Sequence, residues 1–179
     1  MSELIKPVFG IDPGNVESAY CVYFPDTHSI GEFGKVPNNE LRRILKTRLA
    51  WDHLYAVEMV ASYGMPVGAD IFETVLWAGR FMQIVEHADR EIHKVYRKDV
   101  KLNLLGRTSG NDAQVRHTVM SLFRPTGGGK TPVVGTKAKP GPLYGVKADV
   151  WAALAVCLTA HDMVQRKTHA APHALAKAG

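Results

Sequence analysis

The chain has 179 residues, 46% of them hydrophobic, which is long enough to bury one core without disulfide or metal staples. Its formal net charge of +5 favours acidic partners, and its two cysteines, Cys21 and Cys157, sit in apolar runs with no CxxC or zinc spacing, as small buried hydrophobes do. Neither a signal-peptide core nor an apolar run of about 18 residues is present, so the expectation is a cytoplasmic protein with no membrane partner.

In chain order, residues 7 to 11, 17 to 24 and 28 to 36 read as three strands, turned at Pro13-Gly14 and at Pro25-Asp26-Thr27-His28. Pro37-Asn38-Asn39-Glu40 leads into a helix over 41 to 49, with Leu41, Ile44, Leu45 and Leu49 on one face. Residues 54 to 60 form a buried strand that should return parallel to the first. A long helix follows from Gly68 to about Asp89, with Ile71, Val75, Ala78, Met82 and Val85 at helical spacing. Residues 92 to 105 carry one or two strands, with Val100 to Leu105 the better core candidate. A short helix over 111 to 123 starts at Asn111 or Asp112.

Residues 124 to 148 hold ten Gly and Pro and no apolar period, and read as a mobile basic loop. The final helix spans Asp149 to about Met163, its alanines allowing close approach to a sheet. Residues 164 to 179 read as a disordered basic tail, which leaves a single domain over 1 to 163. The order of elements is that of an α/β fold with a central five-stranded mixed sheet flanked by helices. Pairing the first and fourth strands in parallel gives the ribonuclease H-like arrangement.

Three acids stand at the ends of these elements. Asp12 closes Val8-Phe9-Gly10-Ile11, Glu58 closes Leu54-Tyr55-Ala56-Val57, and Asp149 opens the last helix. Strands disfavour Asp, and an unpaired buried charge is costly. Three carboxylates about 4 Å apart repel by roughly 4 kcal/mol per pair at an effective dielectric near 20. A divalent cation turns that repulsion into binding, and oxygen-only ligands suit Mg²⁺ or Mn²⁺. The pattern points to metal-dependent phosphoryl transfer.

Gly10-Ile11-Asp12-Pro13-Gly14, Tyr55-Ala56-Val57-Glu58 and Ala148-Asp149 leading into Ala153-Leu154-Ala155-Val156, in that order, resemble the RuvC Holliday-junction resolvases over roughly residues 7 to 163. The block Val100 to Val119, with Asp112-Ala113-Gln114-Val115, looks like that family's penultimate strand and helix. Ala61 to Gly68, Trp77 to Phe81 and Pro140 to Gly145 look like the RuvC-like proteins of phages and prophages, which implies a bacterial cell or a phage-infected host. By position, Asp12, Glu58 and Asp149 match family catalytic acids and imply ligation of one or two Mg²⁺ or Mn²⁺ ions. The family's second C-terminal acid, three residues on, is Ala152 here. Asp112 and Glu73 are candidates to replace it, although Asp112 is equally placed to cap its helix. The resemblance also implies a homodimer, with the long helix as the pairing element and Trp77 and Phe81 placed either as anchors or in the core.

Implied contacts to branched DNA are Arg107, Arg116, Lys130, Lys137, Lys139 and Lys147, with Tyr63 placed either to stack on a base or to be buried. The expected activity is a crossover-junction endodeoxyribonuclease that cleaves four-way and other branched DNA by water attack, leaving 5′-phosphate and 3′-hydroxyl ends. Rival readings are a nuclease of RNA-DNA hybrids or forks, a non-catalytic branched-DNA binder, and an actin-like ATPase. The last needs a second phosphate loop and a longer chain. Gly127-Gly128-Gly129-Lys130-Thr131 does not supply it, because Arg124 stands where a P-loop begins with glycine, and no nucleotide cofactor is expected.

Overall fold

The computed structural model describes residues 5–61, 64, 66 and 68–175. Five strands form one sheet: β1 (Val8–Asp12), β2 (Glu17–Phe24), β3 (Ser29–Pro37), β4 (Leu54–Met59) and β5 (Ile92–Tyr96), in the spatial order β3-β2-β1-β4-β5. β1, β2 and β3 form an antiparallel meander, while β4 pairs parallel with both β1 and β5. The three parallel strands therefore present their C-terminal ends at one edge of the sheet.

Side-chain alternation along the strands divides the core into two layers. Phe9, Ile11, Tyr20, Val22, Tyr55 and Val57 pack on α1 (Asn38–Arg48) and α2 (Ala69–Glu86). Val8, Ala19, Cys21, Tyr23, Ala56 and Val95 face α3 (Arg97–Leu105), α4 (Asp112–Ser121) and α5 (Val150–Leu175). Gly10 belongs to this second face, and only hydrogen fits there. A Cβ would stand 2.5 Å from the Cys157 sulfur and 2.7 Å from the Ala153 carbonyl oxygen of α5. Cys21 and Cys157 are both free and buried.

Three expectations change. Residues 97 to 105 are a helix, not a core strand. Asp99 disfavours a strand, and its carboxylate accepts the Tyr96 backbone N–H at 3.0 Å, while Gly106 closes the helix at φ 68°. Segment 124–148 is not without a core: Val133, Leu143 and Val146 are buried in the α5 layer. Backbone bonds tie it further, with the N–H groups of Gly127 and Gly128 donating to Pro132 and Lys139 at 2.8 Å each. α5 continues well past Met163 to Leu175; Asp162 and Arg166, on its exposed side, both bond Asn103 of α3. Residues 176 to 179 lie outside the described residues. Among those described, no helix is long and apolar enough to cross a membrane.

Candidate active site

Asp12 and Glu58 end neighbouring parallel strands on the α5 face of the sheet. The register pairs Ile11 with Val57, so the two acids stand next in line in the same row. A buried polar network fixes the turn after Asp12. Ser18 Oγ donates to Asn38 Oδ1 at 2.6 Å and accepts the Gly14 N–H at 3.1 Å. Asn38 Nδ2 donates to the Gly14 carbonyl at 2.9 Å. Both side chains are almost fully buried, so the network holds the Asp12 loop against the start of α1.

These acids share an open cleft of about 440 Å³ with Asp112, Asp149, Arg97, Ala152 and Thr74. Asp149 immediately precedes α5, and Asp112 is the first residue of α4. A helix start favours negative charge, which is a local reason for acids at both positions. A second cleft, about 470 Å³, lies at the other end of the parallel strands. Its Asp52 is already bonded to Lys6 and Arg90, both at 3.1 Å.

Burial, with the neighbouring Glu58 charge next, pushes the Asp12 carboxyl up to about 8. Two cations balance the remaining charge. Arg97 donates to Glu58 at 3.3 Å and also to Asp112. Lys35 Nζ lies 2.7 Å from Asp149, and its pKa is raised chiefly by that hydrogen bond. Among the described residues, no group of three His, Cys, Asp or Glu side chains is arranged to hold a metal ion. The fit to a divalent cation is thus chemical and incomplete. Asp12 and Glu58 form a crowded, all-oxygen pair of the kind Mg²⁺ or Mn²⁺ accepts, but Asp149 is engaged with a lysine.

The structure thus gathers Asp12, Glu58, Asp112 and Asp149, with Ala152 on the cleft wall. Glu73 is exposed on α2 and does not line the cleft. Phe81 is fully buried in the α1–α2 layer, the core alternative of the two open to it; Trp77 is half-buried beside it. Arg107, Lys130, Lys137, Lys139 and Lys147 are exposed outside the cleft, and Arg116 stacks over the Trp151 ring at 4.6 Å. Tyr63 lies outside the described residues.

Arg97 and Lys35 were not anticipated. Reading 92 to 105 as strand hid the first, since Arg97 becomes conspicuous only when β5 ends at Tyr96 beside Met59. The second needs the register: Asp12 pairs with Ala19, which pairs with Lys35, so acid and lysine share one cross-strand row.

No protein-family model and no curated protein sequence matches the chain. Solved structures do match. Thermus thermophilus RuvC is 20% identical, with a TM-score of 0.58 over 86% of this chain and 92% of that one. T. thermophilus RuvC in complex with a Holliday junction substrate is 19% identical, with a TM-score of 0.57 over the same shares. At such identities the likeness establishes the fold, which is the ribonuclease H-like fold of RuvC.

Proposed function

We propose that this chain is a metal-dependent endonuclease that cleaves four-way and other branched DNA. The observation carrying this reading is the Asp12–Glu58 pair at adjacent parallel strand ends, with Asp149 across the same cleft, on the fold of a protein solved with a Holliday junction substrate. Asp12 and Glu58 would hold Mg²⁺ or Mn²⁺, with Asp149 available once Lys35 releases it. When bound, such an ion supplies Lewis acidity toward a phosphodiester. The chain itself orients the acids through the Ser18–Asn38 network and the strand register. Its positive surface, including Arg107, Arg116 and the lysines of 124–148, attracts the DNA backbone. Hydrolysis by water would leave 5′-phosphate and 3′-hydroxyl ends.

Two symmetric cuts require two active sites, and we propose a homodimer through α2. Phe72, Val75 and Leu76 are 64%, 40% and 47% exposed there, an apolar face that a monomer leaves in water. A phage or prophage setting accords with the sequence blocks described above.

Two observations favour a second reading, a branched-DNA binder without catalysis: Ala152 lines the cleft, and Lys35 already occupies Asp149. Incubating the protein with Mg²⁺ or Mn²⁺ and four-way junction, fork, RNA-DNA hybrid and linear duplex separates the readings. Preferential cutting of the junction supports the proposal. Binding without cutting establishes the binder, and preference for hybrid or fork moves the substrate class.

A further inference from the structure

Charge balance alone does not account for Arg97. Its side chain leaves the first turn of α3 and joins two acids from different elements, Glu58 of β4 and Asp112 of α4. The guanidinium side chain is 31% exposed, between a Glu58 that is 13% exposed and an Asp112 that is 80% exposed. It is therefore anchored from the solvent side and laid over the acid site. A guanidinium carries five N–H donors in a planar fork, and these two contacts leave donors for another acceptor. That fork matches two oxygens of a phosphate, a geometry no ammonium reproduces.

We infer that Arg97 is a catalytic residue that grips the scissile phosphate, and that Asp112 is its positioning residue rather than a metal ligand. This rests on the nuclease reading above. Arg97 exchanges its Glu58 contact for a non-bridging phosphate oxygen, while Asp112 keeps the fork oriented. Water adds to phosphorus, the bond to the 3′ oxygen breaks, and the proton lost by water is balanced by the one gained at the 3′ oxygen. Arg97 stays protonated throughout and acts by charge and geometry. A donor aimed at developing phosphate charge contributes most in the transition state, so its loss falls on rate more than on affinity.

The test compares wild type with Arg97→Ala, Arg97→Lys and Asp112→Asn on a four-way junction. Affinity is measured across a salt series without divalent ions, and single-turnover cleavage is measured with Mg²⁺. Arg97→Ala should cut about 100-fold more slowly. Its salt slope of log K should flatten by about 0.9, the loss of one phosphate contact. Arg97→Lys should recover the slope but not the rate, because it keeps the charge and loses the fork. Asp112→Asn should keep the slope and lose part of the rate. Arg97→Ala with wild-type rate or unchanged slope overturns the inference, as does full rate in Arg97→Lys, which would reduce the residue to a counter-charge. Wild type that cuts no branched DNA overturns the nuclease reading too, and shows itself before any variant is compared.

Discussion

A carboxyl held near 8 by burial opposes folding wherever it must ionise. For Asp12 the ordinary value is 3.8, so the cost is absent below that pH and grows as pH rises toward about 8. Without divalent ions, the wild-type unfolding temperature should therefore fall between pH 4 and 8 relative to Asp12→Asn, which has no charge to bury. Adding Mg²⁺ should raise the wild-type value more than the variant's, because only the wild type offers the full carboxylate pair. Asp12→Asn should also abolish cutting while leaving junction affinity nearly intact, since affinity comes mostly from phosphate contacts. Matching pH profiles for the two proteins would mean that Asp12 is not desolvated. The sequence exposes this residue because Asp is out of place at the end of Val8-Phe9-Gly10-Ile11. It does not expose Lys35, whose neighbourhood is created by strand register alone.

At the scale of elements, the strands and the α2 helix are legible because their periods differ and their breakers are strong. The stretch after β5 is not. Val100, Leu104 and Leu105 suit a strand as well as a helix, and the helix is bounded by the Asp99 carboxylate on the Tyr96 N–H and by the left-handed Gly106. α5 outruns its expected end because polar residues 165 to 169 have no core period, yet its side-chain bonds to α3 carry it onward. The close approach of α5 to β1 gives a sharper prediction. Gly10→Ala forces a methyl against Cys157 and the Ala153 carbonyl, and should destabilise by about 1–3 kcal/mol. The measurement is chemical denaturation. A variant as stable as wild type would show that α5 can back away from the sheet at no cost.

For the whole molecule, the question is how a charged surface is carried on a rigid body. Segment 124–148 is anchored by Val133, Leu143 and Val146, yet Lys130, Lys137 and Lys139 remain exposed. Neutralising these three lysines together should flatten the junction salt slope by about 0.9 for each phosphate they neutralise in the wild type. The unfolding temperature should hardly move, because exposed lysines contribute little to folding. An unchanged slope would remove the segment from the DNA interface. The apolar face of α2 makes a separate prediction: Phe72→Glu should shift sedimentation from dimer to monomer. A wild-type chain that already sediments as a monomer would end the dimer proposal. Both experiments benefit from the packing of the two cysteines. The chain has no other thiols, and both are fully enclosed between sheet and α5. The folded protein is thus silent toward maleimide dyes, and a cysteine placed at Lys139 would be the one labelled atom per chain. In the proposed dimer, energy transfer between two such labels would report the spacing of the two segments, and any change in it when a junction is added.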